Sequence, residues 1–418
     1  MRKILFVTSE AHPLMKTGGL GDVCGSLPQA LQTLGADVRL LLPGYRDSRA
    51  QAGQLKPVAQ ITVPLLTQPV TLLEGKLPGT DIQVWLIDFP PAYDRAGNPY
   101  LDAEGHPWID NAARFSLLAQ VAVAIARGTA GLAWKPDVVH AHDWQTGLVP
   151  ALLAEDTVRP ATVFTIHNLA YQGLFPYESF LSLRLPASLW SLDALEFHGQ
   201  LSFIKGGIAF ADRVNTVSPT YAREIQTPES GHGLDGLLRH RAARLSGILN
   251  GIDDQIWNPA RDPILASPYS LQRLAHKAPN KAALQKEFNL PVDAQVTVIG
   301  IVSRLAHQKG IDLVLDALPV LRELPIQLVI LGTGELEYEN ALRAEAARTP
   351  DRLAVFAGYD EAVAHRIQAG ADLFLMPSRF EPCGLSQLYA LRYGTVPLVC
   401  HVGGLADTVV DATAQAGR

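Results

Sequence analysis

Two patterns of hydrophobic and polar positions recur along this chain: short, wholly apolar runs that end abruptly in glycine, histidine or acidic residues, and longer stretches with helical spacing between them. The first apolar run, residues 4–8, leads into Lys16-Thr17-Gly18-Gly19-Leu20-Gly21-Asp22, and a helix is predicted from about Val23 to Leu34, stopped by Gly35. Residues 38–42 follow as a second buried strand. Apolar strands joined by helices mark a parallel sheet covered on both faces, so this segment reads as a β-α-β unit. Residues 57–90 instead alternate apolar and polar, as in Gln60-Ile61-Thr62-Val63, which predicts a small antiparallel insertion. After the Asn98-Pro99-Tyr100 turn a long helix is predicted over 109–126.

The parallel pattern then resumes. Strands are predicted over 138–140, 162–166, 213–216 and 245–249, the last running into Asn250-Gly251-Ile252-Asp253. Residues 253–279 are proline-rich and aperiodic and read as a linker region. A helix over 281–288 opens a second series of apolar strands at 296–302, 326–331, 353–356, 373–376 and 396–399. The expected architecture is α/β: two doubly wound Rossmann-like domains, 1–252 and 280–418, facing a central cleft.

Composition narrows the chemistry. The 418 residues are 48% hydrophobic and 18% charged with a net charge of −6, and 35 Lys and Arg stand against 41 acidic residues without a basic run. Nucleic acid is therefore excluded as the expected partner. Three cysteines without metal-ligand spacing predict reduced thiols. No apolar stretch approaches membrane-spanning length and the N-terminus lacks a signal-peptide core, so no membrane partner and a cytoplasmic location are expected.

Polar residues gather at the C-terminal ends of the predicted strands, the edge where open parallel sheets bind ligands. Lys16 and the amides of Gly18 and Gly19 lie before a helix, an arrangement suited to an anion or simply to a tight turn. His140-Ala141-His142-Asp143-Trp144 and His167-Asn168-Leu169-Ala170-Tyr171-Gln172-Gly173 end two further strands. In the second half, Arg304 and Lys309 place two cations in one loop, and Glu381 precedes Cys383-Gly384-Leu385-Ser386, where it serves either to cap a helix or to grip sugar hydroxyls. The absence of an Asp-x-Asp pair argues against a carboxylate-held Mg²⁺. His140, His142, Asp143 and His167 lack the paired carboxylate that would complete a metal cluster, so no metal is expected. Gly-x-Ser-x-Gly and Cys-x-x-Cys are also missing, which disfavours hydrolase and redox chemistry.

These motifs, together with Arg379-Phe380-Glu381-Pro382-Cys383-Gly384-Leu385 and in the same order, resemble the bacterial glycogen synthase and plant starch synthase family over essentially the whole chain. The resemblance implies a GT-B fold and transfer of glucose from ADP-glucose to the non-reducing end of an α-1,4-glucan such as glycogen, with retention of configuration, without metal or other cofactor. It implies that Lys16, Arg304 and Lys309 bind the diphosphate, with Gly18 and Gly19 close to it. By the same resemblance Asp143, His167, Asn250 and Glu381 hold the glucose, Tyr359 stacks on adenine, and Cys383, Gly384, Leu385 and Ser386 line the donor site. Asp22, Tyr100 and Tyr171 fall to the acceptor side. Where many retaining relatives carry Glu-x₇-Glu, this chain has Tyr389 eight residues after Glu381. Family members also continue for several dozen residues past the position of Arg418. Two expectations follow: an active glucosyltransferase, or a truncated, weakly active or inactive homologue that still binds nucleotide or glycan.

Overall fold

The computed structural model describes residues 1–415. The chain divides into two compact units, Met1–Leu249 and Asn250–Arg418. The first is built on a nine-stranded sheet. Its strands are β1 (Lys3–Val7), β2 (Asp37–Pro43), β3 (Lys56–Ile61), β4 (Val70–Lys76), β5 (Gln83–Asp88), β6 (Val138–His142), β7 (Ala161–Ile166), β11 (Arg213–Thr216) and β12 (Leu245–Gly247). They lie in the order β12-β11-β7-β6-β1-β2-β5-β4-β3, parallel except where β3, β4 and β5 pair antiparallel as the alternating pattern predicts. Three short strands, β8 (Leu174–Phe175), β9 (Glu196–Phe197) and β10 (Gln200–Ser202), form a separate antiparallel sheet that the sequence does not announce, because two- and three-residue strands carry no period.

Burial explains the apolar runs. Leu5, Phe6 and Val7 of β1 are all fully buried, since a parallel sheet is covered on both faces. One cover is α1 (Gly19–Thr33), which packs Cys24 and Val23 inward; the helix Asn111–Arg127, predicted over 109–126, is buried almost all round.

The second unit carries β13 (Thr297–Val302), β14 (Ile326–Gly332), β15 (Leu353–Ala357), β16 (Leu373–Met376) and β17 (Val396–Val399), all parallel, in the order β15-β14-β13-β16-β17. Residues 253–279, expected as a linker, are instead built into this unit. Trp257 is stacked between His365 and Tyr389, with ring centroids 3.8 and 3.7 Å apart. Asp262 accepts hydrogen bonds from buried His365 (2.7 Å) and Tyr393 (2.6 Å). Residues 253–270 have no regular element, but Leu271–Lys277 form a 3-10 helix that runs into the helix Ala278–Glu287, and irregular backbone can still be packed.

Each sheet has one reversal point, where two adjacent parallel strands send their following connections to opposite sides. In the first it lies between β1 and β6, and in the second between β13 and β16. Loops leaving the C-terminal ends of those strands run apart, and the gap is where α/β sheets hold ligands.

Candidate functional site

In the first unit the reversal point is occupied by residues 8–22, 142–143 and 167. The Lys16–Asp22 stretch differs from expectation in one respect: α1 starts at Gly19, so Gly19 to Asp22 form its first turn rather than a loop. Gly18 is the N-cap with extended backbone (φ −170°, ψ −164°), and a Cβ added there meets nothing within 4 Å. Its glycine character is therefore not needed for left-handed backbone; it leaves the helix N-terminus open to whatever approaches. Lys16 Nζ is 2.7 Å from Asp22 Oδ1, so Asp22, expected beside the sugars, holds the lysine.

Glu10, which the sequence reading passed over, organises this turn. Its carboxylate, almost fully buried, accepts from the Thr17 amide, from Thr17 Oγ1 at 2.8 Å and from the Tyr100 hydroxyl. Tyr100 also meets Ser9 Oγ at 2.9 Å. Burial raises the Glu10 pKa, and those donors partly offset the rise. The available signal was a carboxylate three residues beyond a wholly apolar strand, at the sheet edge where ligands bind.

Asp143 follows β6 in left-handed backbone (φ 58°, ψ −179°), an unfavourable conformation for a residue with a Cβ and one that clusters at functional positions. Its Oδ1 accepts from the His167 amide at 2.9 Å and the Asn168 amide at 3.4 Å. Burial pushes its pKa up to about 7 against those two donors, with Glu10 adding to the rise. His142 Nδ1 lies 3.0 Å from His167 Nε2, and His142 stacks on Phe6 at 4.1 Å. His140 bonds Thr165 Oγ1 at 2.7 Å. Burial drives the His140 pKa to about 4 and that of His167 to about 3, and lowers that of His142 as well, so all three rings are neutral at pH 7.

Tyr171 lines a pocket of about 680 Å³ with Trp144, Gln172, Phe197, His198 and His232. Gly173 (φ +60°) makes the pocket wall possible, since a Cβ there would sit 2.3 Å from the Trp144 ring. Phe197 and His198 come from the small sheet and its turn, so this feature too was hidden from sequence reasoning.

In the second unit the reversal point holds the loops after β13 and β16, which are knitted together. Arg379 forks onto Asp312 at 2.7 and 2.6 Å and reaches the His307 carbonyl; Gln308 Nε2 donates to the Phe380 carbonyl. Lys309 Nζ is 2.5 Å from Glu381 Oε2, which also accepts from Ser378 Oγ at 3.1 Å. Glu381 is buried, and the helix after it spans Ser386–Arg392 with Leu385 at its N-cap; the capping alternative is thereby excluded. Arg304 shares this loop and contacts Gln308 Oε1 at 3.2 Å. Gly384 does need its missing side chain: at φ +71° a Cβ would meet Gln387 Oε1 at 2.3 Å. Burial raises the Cys383 pKa to about 11 while contact with Asn250 lowers it, which brings these two predicted donor residues together. Tyr359 follows β15 with 67% of its surface exposed. The glycines of Gly332-Thr333-Gly334 serve packing, since a Cβ on Gly334 would strike the Leu305 carbonyl at 2.2 Å. Among the described residues no helix is long and apolar enough to cross a membrane.

Comparison with known proteins accounts for both units. Residues 3–240 match the model of the starch synthase catalytic domain, and 284–416 that of glycosyl transferases group 1. Glycogen synthase 1 of Methylococcus capsulatus is 59% identical over 99% of this chain and 83% of its own length, and the glycogen synthase of Cellvibrio japonicus is 56% identical over 98% and 85%. The catalytic domain of starch synthase IV from Arabidopsis thaliana, bound to ADP and acarbose, superposes with a TM-score of 0.88 at 32% identity, covering 99% of this chain and 86% of that one. Sucrose-phosphate synthase from Thermosynechococcus elongatus, at 17% identity and a TM-score of 0.57, shares the fold. With two Rossmann-like units and more than half of the residues identical to glycogen synthases over nearly the whole chain, the chain belongs to the starch synthase family of GT-B glycosyltransferases, together with the bacterial glycogen synthases.

Proposed function

We propose that this glycosyltransferase moves glucose from ADP-glucose to the 4-hydroxyl at the non-reducing end of an α-1,4-glucan with retention at C1, and that it does so without a metal cofactor. The observation that carries the reading is the Lys309–Glu381 contact at 2.5 Å. A cation suited to phosphate and a carboxylate suited to sugar hydroxyls stand side by side, as a sugar diphosphate requires.

Lys16 in the first unit and Arg304 and Lys309 in the second are the cations assigned to the donor diphosphate. The amides of Gly18 and Gly19, and of Gly384, Leu385 and Ser386, add hydrogen-bond donors, and Cys383 packs beside them. Asn250, Asp143, His167 and Glu381 are assigned to the glucose, and the exposed Tyr359 ring to adenine. Tyr171, with the pocket it lines, is assigned to the acceptor. Tyr100 and Asp22, bonded to Glu10 and Lys16 respectively, act on substrate chiefly by holding those partners.

The bond from C1 to the diphosphate oxygen breaks, the acceptor O4 bonds C1 from the same face, and the acceptor proton passes to the departing phosphate. The cations stabilise the charge that develops on that phosphate. At C1, positive charge is supported by the His167 carbonyl. Asp143 aims it: in a trans peptide C=O and N–H point opposite ways, so an Asn168 amide held by Asp143 turns the His167 carbonyl away from that carboxylate. The neutral His167 ring, whose Nε2 is engaged by His142 Nδ1, offers its Nδ1 to a sugar hydroxyl.

Incubation of the chain with glucose-labelled ADP-glucose and glycogen tests the reading. Label should enter polymer in α-linkages released by an α-1,4-specific exoglucosidase. Donor bound without any label in polymer would refute the enzyme assignment and leave a binding protein.

A further inference from the structure

The metal reading of the histidines fails on sequence spacing because the third ligand comes from elsewhere. Cys24, in the second turn of α1, faces the same point as His142 at the end of β6 and His167 beyond β7. Each offers one ligand atom, all three residues are buried, and the three atoms lie within 4.8 Å of one another. His142 Nδ1 and His167 Nε2 are 3.0 Å apart, while the fully buried Nε2 of His142 has no hydrogen-bond partner among the described residues. Around tetrahedral zinc, with bonds of about 2.0–2.3 Å, ligand atoms stand roughly 3.3–3.7 Å apart. The two imidazole nitrogens, 3.0 Å apart, have to part by about 0.3 Å, and a thiol up to 4.8 Å away has to close by about 1 Å.

We propose that Cys24, His142 and His167 bind a soft divalent cation of the zinc type, and that its binding takes His167 out of service in sugar transfer. The first half stands on the donor set alone; the second rests on the role assigned to His167 above. Two neutral imidazoles and a thiolate are the ligands such an ion selects over Mg²⁺ or Ca²⁺. Glu10 and Asp143, whose charges act on Cys24, add negative potential that favours a cation. On binding, the thiol proton leaves to solvent and the N–H shared by the two rings moves to a nitrogen that the metal does not use, so one proton is released per ion. The fourth position is left to water or a substrate oxygen, and a ring fixed on the metal no longer reaches a glucose hydroxyl.

Cobalt serves as the spectroscopic stand-in for zinc. The tag-free chain titrated with Co²⁺ should take up one equivalent with a near-ultraviolet thiolate-to-cobalt band and the intense visible bands of a four-coordinate ion, both bleached by Zn²⁺. Cys24→Ala should abolish the thiolate band and weaken binding at least roughly tenfold; Cys24→Ser, which keeps the volume, provides the same readout should the alanine variant fold poorly. Cys400→Ala should keep the band. Absence of a thiolate band in the unaltered chain, or its survival in Cys24→Ala, overturns the site. In glucose incorporation Zn²⁺ should inhibit, a chelator should restore activity, and Cys24→Ala should need at least roughly tenfold more Zn²⁺ for equal inhibition. Equal sensitivity overturns the link to His167. If no transfer occurs under any condition the assigned function fails, while the cobalt spectra still decide the metal site.

Discussion

The two units solve the same problem with opposite electrostatics. At the reversal point of the first, apart from the Lys16–Asp22 pair, the polar side chains are buried and desolvated: Glu10 and Asp143 have raised pKa values, and three histidines are kept neutral. At the reversal point of the second, full charges persist because each is paired, Lys309 with Glu381 and Arg379 with Asp312. A dry site is held by directional hydrogen bonds, and its histidines are costly to protonate. A paired site keeps its charges ready for an ionic ligand, and loses its balance when one partner is removed.

The largest expected effect breaks the paired side. Lys309→Ala leaves the Glu381 carboxylate buried without its cation, which should destabilise the second unit by about 3 kcal/mol and abolish incorporation of glucose. Thermal unfolding beside the transfer assay checks both; an unchanged melting temperature would show that the pair is not the anchor described. Lys309→Ala combined with Glu381→Gln should recover much of the stability but none of the activity.

Lys16→Ala removes a charge-assisted contact of roughly 1.5–3 kcal/mol to the diphosphate, so a ten- to hundredfold fall in transfer is expected, with a smaller loss of stability than Lys309→Ala because Asp22, at 19% exposure, is left closer to water than Glu381 at 7%. Unaltered turnover would show that the first unit contributes no charge to donor binding, and would make the contrast between the units complete.

A third prediction concerns pH. His140 and His167 have folded pKa values of about 4 and 3, below the ordinary 6.5, so the unfolded chain binds more protons in that interval and stability falls as pH drops below 6.5. Asp143 acts in the opposite sense. Its folded value of about 7 lies above the ordinary 3.8, so between those values the folded chain binds the extra proton and stability rises as pH falls. Asp143→Asn should therefore steepen the acid loss of stability between about pH 4 and 6.5, as followed by denaturant titrations; a shallower slope would mean that Asp143 is ionised in the folded chain across that range.

The smallest effect belongs to Tyr359→Ala. The ring is largely exposed, so stability should move by no more than about 0.5 kcal/mol, while KM for the donor rises and kcat is little changed. A fall in kcat alone would argue against stacking on adenine.

Periodicity and local chemistry, both properties of contiguous residues, were enough to read the two parallel α/β series, the antiparallel insertion at 57–90 and the strand-end motifs. Lys309 and Glu381 could be singled out for the same reason: each stands beyond an apolar strand, at the edge where such sheets bind ligands. The packing of 253–279 was not legible, because Trp257 and Asp262 find partners at His365, Tyr389 and Tyr393, far along the chain. Nor were the direct pairing of Lys309 with Glu381, the hold of Glu10 on Thr17 and Tyr100, the pocket wall from β9 and β10, or the meeting of Cys24 with His142 and His167. By itself the sequence determined which residues carry charge, which runs are buried and where strands end, since those follow from side-chain polarity and spacing. Only the tertiary structure decided which of those residues share a site and whether they meet there charged or neutral, because neighbours distant in sequence and exclusion from water set both.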